Sequence, residues 1–122
     1  MCSSDLYVED HVSGVMQALE HGAPGGRYAF GGGNERSNLD LAREICHILD
    51  DVAPRSDGVS YAEQISFVAD RPGHDYRYAI DGTRAREEIG YVPRHLFAEA
   101  LRSTVAWYVE RASERISRAA GA

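Results

Sequence analysis

Residues Asp70-Arg71-Pro72-Gly73-His74-Asp75 concentrate two carboxylates, a guanidinium and an imidazole around one Pro-Gly pair. Pro then Gly fits the central positions of a type II turn, and the backbone needs nothing more than those two. Arg71 and His74 flank the turn and can project together. A planar guanidinium fork beside an imidazole donor suits a phosphate-bearing ligand, and Asp70 and Asp75 can orient the pair. The plain alternative is a solvated turn with a local Arg–Asp pair, which contributes little. The residues alone leave both readings open.

A second stretch, Gly31-Gly32-Gly33-Asn34-Glu35-Arg36-Ser37, follows an apolar segment and precedes a helical pattern. Strand, glycines, helix is the order in which a dinucleotide fold cradles pyrophosphate. The spacing fails, because Arg36 stands where the third glycine belongs and no acidic ribose-binder clearly follows. Glycines still let backbone approach a ligand closely, and the Asn34 amide both donates and accepts. Taken alone, a tight turn is the better reading. His11, His21, His47 and His95 share no metal-ligand spacing. Cys46 and His47 are adjacent on a helical pattern, so their side chains diverge and cannot act as a nucleophile–base pair. All 13 basic residues are arginine; no chemistry that needs a lysine amine can be completed by this chain alone.

The elements that must position these residues read as an α/β arrangement, mostly helical, with short strands. Val8 to His21 has helical spacing, with Val12, Val15, Met16 and Leu19 as its apolar stripe. Arg27–Phe30, Gln64–Ala69 and Tyr78–Ile80 read as short strands. A second helix, capped by Ser37, carries Leu41, Ile45, Ile48 and Leu49 and should run to about Asp50. Asp81 is placed to cap a short helix that ends at Gly90, with Pro93 beyond it. The last helix starts near Leu96, with Phe97, Ala100, Leu101, Thr104, Val105 and Tyr108 on one face. Trp107 and Tyr108 are expected in the core, and the polar end, residues 111–122, is expected to fray. No linker divides the chain.

The 122 residues set a prior of one domain, and a net charge of −6 argues against nucleic acid as a partner. No apolar run suits a membrane span, and the N-terminus has no signal-peptide pattern. Cys2 and Cys46 form no disulfide framework, which suits a reducing cytoplasm.

Several segments, in order, resemble the C-terminal part of the dTDP-glucose 4,6-dehydratases of the extended short-chain dehydrogenase/reductase family. They are LYVEDHV, YAFGGGNERSNLDLAREI, ISFVADRPGHDYRYAID, EEIGYVP and FAEALRSTVAWYVE. The resemblance covers Leu6 to Glu110, and ADRPGHDYRYAID is its most specific part. It implies the smaller, mostly helical lobe that grips a nucleotide-sugar, residues 6–110, without the NAD-binding Rossmann domain and its Tyr-x-x-x-Lys pair. Family enzymes oxidise C4 of dTDP-glucose, eliminate water across C5–C6 and return the hydride to C6, forming dTDP-4-dehydro-6-deoxyglucose.

Carried over by motif, the resemblance implies that Asn34 contacts the diphosphate region and that Arg71 and His74 hold the nucleotide. No catalytic, cofactor-binding or metal-binding residue is implied in this chain. Gly33 stands for a frequent histidine and Tyr76 for a frequent arginine, which puts the details of the grip in question. Val8, Glu9, Asp10 and His11 match a segment at the base of the family's cleft. The string MCSSD, residues 1–5, matches nothing in the family and is expected to be a non-native N-terminus of a truncated gene model. The intact enzyme is expected to be a cytoplasmic NAD-dependent homodimer acting on dTDP-glucose, without metal, and the isolated chain to be inactive. Other readings are part of a sister dehydratase, epimerase or decarboxylase, a free-standing nucleotide-binding module, or a helical interaction domain.

Overall fold

The structure is a computed structural model, and it describes residues 2–73 and 77–120. In chain order the elements are β1 (Cys2–Ser4), α1 (Val8–His21), β2 (Glu35–Ser37), α2 (Asn38–Val52), a 3₁₀ turn (Tyr61–Gln64), α3 (Thr83–Ile89) and α4 (Phe97–Ala120). The chain is thus mostly helical, as expected, and no helix among the described residues is long and apolar enough to cross a membrane. It divides into two compact units, which the sequence showed no linker to predict.

The first unit combines the chain up to Asn38 with Arg71–Phe97. Its core is Ala85, Ile89 and Tyr91, with Leu6, Ala18, Tyr28 and Phe30 packed against them. Gly90 ends α3 in the left-handed region at φ +69°, its N–H donating to Arg86 O, while Tyr91 N–H donates to Ala85 O. That stop delivers Tyr91 into the core. Asp81 serves α3 as expected, but from one residue further out: Gly82 is the N-cap, and Asp81 Oδ1 accepts the N–H of Thr83 at 2.9 Å. β1 and β2 are antiparallel, in the register Cys2↔Ser37, Ser3↔Arg36, Ser4↔Glu35.

None of the segments expected to be strands forms a ladder: Gln64 ends the 3₁₀ turn, and beside Tyr78–Ile80 only Arg77, among the described residues, makes an isolated bridge. In Arg27–Phe30 the alternation is right, since Tyr28 and Phe30 pack on the core. Phe67 and Val68 are 83% and 86% exposed, and Tyr78 and Ile80 are nearly half exposed. A strand needs a hydrogen-bonded neighbour, and alternation cannot supply one. The two strands that do form lie in polar sequence, one of them at the end of the glycine-rich stretch.

α1 spans the expected residues, yet its expected stripe does not face the core of its unit. Val12, Val15, Met16 and Leu19 are 48–78% exposed, whereas Asp10 and Gly14 are buried and Ala18 packs on the core. Gly14 explains the choice. A Cβ there would stand 2.7 Å from Phe30 Cδ1 and 2.9 Å from Tyr91 Cε2. The helix backbone therefore lies against the edge-to-face pair of Phe30 and Tyr91, whose ring centroids are 4.8 Å apart.

The second unit combines Leu39–Asp70 with the chain from Ala98 onward. Ile48, Ala100 and Val105 are buried in it. The C-terminal end of α2 is tied down locally. Asp50 accepts from Ser60 Oγ at 2.6 Å and Tyr61 N at 2.9 Å, and Tyr61 donates its hydroxyl to Ala53 O at 2.9 Å. Arg102 on α4 pairs with Asp51 on α2 at 3.1 Å. Trp107 and Tyr108 are not core residues: they are 47% and 64% exposed. The buried face of α4 is set by Ala100 and Val105, and Trp107 is covered instead by the Arg111 guanidinium, 4.5 Å above its ring. The polar end expected to fray continues α4 to Ala120.

Candidate functional site

The glycine loop is held from two sides within the first unit. A Cβ on Gly32 would stand 2.5 Å from the Asp5 carbonyl oxygen, so only glycine fits there. A Cβ on Gly31 would be 3.2 Å from Ile80 Cβ. Gly33 sits at φ +68°, which lets the chain turn before Asn34. The Asn34 side chain is half-buried and folds back over the loop, its Nδ2 donating to Gly32 O at 2.9 Å.

Arg71 is exposed and immediately precedes the Pro72-Gly73 turn, where Gly73 has the positive φ of +73° that a type II turn requires. His74, expected to act with Arg71, lies outside the described residues, as do Asp75 and Tyr76. The segments carrying Asn34 and Arg71 are linked by their neighbours. Arg77 Nε donates to Glu35 Oε2 at 3.0 Å and Arg77 Nη2 to Glu35 Oε1 at 2.6 Å. With Gly31 against Ile80 and Glu35 against Arg77, the loop runs antiparallel to residues 77–80. The Arg77 hydrogen bonds hold the Glu35 carboxyl below its ordinary pKa. Next to Glu35, the Arg36 guanidinium lies 4.4 Å over the Phe97 ring.

A second polar cluster was not legible from the sequence. Asp10, 2% exposed, accepts the backbone N–H groups of Arg94 at 3.0 Å and His95 at 3.2 Å, and lies 3.0 Å from His95 Nδ1. His95 Nε2 is 3.7 Å from Glu9, and Tyr7 packs edge-on against the imidazole. Burial opposes ionisation of Asp10, but the two backbone donors and the imidazole outweigh it, so the carboxyl stays below its ordinary pKa. The Tyr91 hydroxyl is pushed upward by burial first and by the Asp10 charge second. The cluster clamps α1 to residues 94–95. Asp10 is committed to protein donors, which fits a structural part for the Val8–His11 segment.

His11 packs edge-on to Phe30, and His47 lies exposed on α2 beside Cys46. Among the described residues no group of three or more His, Cys, Asp or Glu could hold a metal ion. In the second unit a depression of about 210 Å³ is lined by Asp50, Pro54, Arg55, Gly58, Val59 and Ser60. Its charged and hydroxyl groups are already engaged: Asp50 with Ser60 and Tyr61, Arg55 with Asp57. The better candidate is therefore the surface carrying Asn34 and Arg71.

The sequence profile of the GDP-mannose 4,6 dehydratase family matches residues 5–104. The chain belongs to the GDP-mannose 4,6 dehydratase family. Among curated members it is 46% identical over 104 residues to dTDP-glucose 4,6-dehydratase of Salmonella typhimurium, covering 85% of this chain and 28% of that protein. It is 42% identical over 112 residues to the Neisseria gonorrhoeae enzyme of the same name, covering 90% and 32%. A solved dTDP-glucose 4,6-dehydratase from Bacillus anthracis, in complex with NAD, superposes with a TM-score of 0.75 at 30% identity, covering 89% of this chain and 31% of that one. The chain thus spans under a third of the length of these dehydratases and has the fold of the corresponding part. The glycine loop does not fit NAD: Gly31 and Gly32 are filled by Ile80 and the Asp5 carbonyl, and Arg36 replaces the third glycine of a dinucleotide cradle.

Proposed function

We propose that this chain is the nucleotide-gripping part of a dTDP-glucose 4,6-dehydratase, in which Asn34, Arg71 and His74 hold the dTDP moiety of dTDP-glucose. The observation that supports it most is the family match together with the 42–46% identity to enzymes of that name. The latched pairing of the loop carrying Asn34 with the segment following Arg71 agrees with it. A guanidinium beside a phosphate supplies charge-assisted hydrogen bonds of about 1.5–3 kcal/mol each. In a protein of the relatives' length, that binding energy is remote from the reacting carbons and serves to position the sugar for oxidation and loss of water. NAD and the proton-transfer residues belong to sequence that this chain does not contain; its lack of lysine already removes the Tyr-x-x-x-Lys pair. The chain alone therefore catalyses neither hydride transfer nor dehydration.

Titration calorimetry with dTDP, UDP and GDP tests this. The expected result is micromolar dTDP binding, weaker UDP and GDP binding, and a loss of at least tenfold in dTDP affinity on Arg71→Ala. Equal affinity for the three nucleotides points to a sister enzyme. No binding, or an Arg71→Ala variant that binds as well as the parent, overturns the reading.

A further inference from the structure

We infer that Glu35 and Arg77 are positioning residues of the nucleotide grip, a latch that sets the register between the loop carrying Asn34 and the turn carrying Arg71. The inference rests on the function proposed above and assigns to that site two residues that make no claim to touch the ligand.

Three observations carry it. First, the pair is bidentate, with Nε to Oε2 at 3.0 Å and Nη2 to Oε1 at 2.6 Å. A fork-on-carboxylate pair fixes direction as well as distance, which a single contact does not. Second, the two residues are 42 positions apart, and each sits next to the grip. Glu35 directly follows Asn34 and is held in β2, opposite Ser4 of β1. Arg77 follows Arg71 by six positions in the chain. Third, the backbone at both places is irregular. Gly33 and Gly73 have φ of +68° and +73°, and residues 78–80 form no ladder. Among the described residues, backbone pairing here is confined to an isolated bridge at Arg77, and the side-chain contacts of Glu35 on Arg77 and Ile80 on Gly31 reinforce its register.

An ordinary surface ion pair of this exposure contributes little to folding. The latch is therefore expected to act on ligand affinity and local order rather than on global stability. Glu35→Gln weakens the fork and Arg77→Met removes it while keeping an apolar stem. Exchanging the two residues, Glu35→Arg with Arg77→Glu, restores the charge pair in reverse. By calorimetry with dTDP, each single variant is expected to bind at least fivefold more weakly than the parent chain. The exchanged double variant is expected to return to within about twofold, with all denaturation midpoints in agreement. Single variants that bind like the parent overturn the latch, as does a stable double variant that stays as weak as the singles. A parent chain that takes up no dTDP overturns the functional reading instead. The latch geometry is then decided by amide hydrogen exchange over residues 32–36 and 77–80. Faster exchange in the singles, reversed in the double variant, upholds it; exchange unchanged from the parent overturns it.

Discussion

Asp10 lends itself to a quantitative test because its partners are few and local. Asp10→Ala removes the acceptor of two backbone donors, Arg94 N–H at 3.0 Å and His95 N–H at 3.2 Å, and the partner of His95 Nδ1 at 3.0 Å. A hydrogen bond to a charged group contributes about 1.5–3 kcal/mol, and a buried donor left unpaired costs about 1–3 kcal/mol. Two terms reduce the total. The carboxylate no longer suffers burial, and Arg94 and His95 are exposed residues whose N–H groups can turn to water. A net loss of about 2–3 kcal/mol follows from these terms. Asp10→Asn keeps an acceptor oxygen for the backbone donors but loses the charge, and should cost about half as much, since neutral hydrogen bonds are roughly half as strong. With a urea slope of about 1–3 kcal/mol per molar, the alanine variant's midpoint moves down by about 0.7–3 M.

The same carboxylate imposes a pH dependence of known sign. Its pKa in the folded chain is below the ordinary 3.8, so the folded state favours the ionised form. Its stabilising contribution is fully present above the unfolded pKa and is lost as pH falls through the folded value. Urea midpoints at pH 6 and pH 3 should therefore differ more in the parent chain than in Asp10→Asn. A cost below 0.5 kcal/mol for Asp10→Ala at pH 7 (the range of ordinary surface substitutions), or an identical pH response in the two chains, refutes the clamp.

Gly14→Ala gains about 0.8–1 kcal/mol of helix propensity but drives a methyl into Phe30 and Tyr91, an overpacking cost of about 1–3 kcal/mol. A net destabilisation of about 1 kcal/mol is expected by urea denaturation, and a more stable variant contradicts the close approach. Gly90→Ala meets no atom within 4 Å, so its cost is the left-handed backbone alone, about 1–2 kcal/mol. Gly90→Asn should lose less, and equal losses for the two would argue against a purely conformational penalty.

Helix positions were legible in the sequence because their signals are local. Periodicity marked α1 from Val8 to His21, and Gly90 followed by Pro93 marked the stop of α3. The strands were misread for a physical reason. Arg27–Phe30 alternates correctly and sends Tyr28 and Phe30 inward, but pairing is a property of two segments, and the pairing partners turned out to be Cys2–Ser4 and Glu35–Ser37. Neither reads as a strand by composition. For the candidate site, residue type left Asn34 and Arg71 open between ligand contact and plain turn, and the family resemblance singled them out; the Pro72-Gly73 turn has the positive φ expected at Gly73. The contacts that organise the surroundings were not, since Glu35–Arg77 and Asp10–His95 join positions 42 and 85 residues apart. Charge count at either end of such a pair carries no sign of the other.

The exposed stripe of α1 sharpens what periodicity can and cannot say. Val12, Val15, Met16 and Leu19 form the apolar face expected of a buried helix, and they remain 48–78% exposed. The face turned to the core of the unit carries Asp10, Gly14 and Ala18, small or polar residues spaced one helical turn apart. Close approach selects that face: at Gly14 the aromatic rings reach the helix backbone itself, and Asp10 finds two N–H donors within 3.2 Å. Apolar periodicity marks the side of a helix with the most apolar area, whereas packing within this unit is decided by where a neighbour can come nearest and by whether each buried polar atom is paired. The two criteria point to different sides of α1, so inverting it to bury the stripe would strand the Asp10 carboxylate and lift Phe30 and Tyr91 off Gly14.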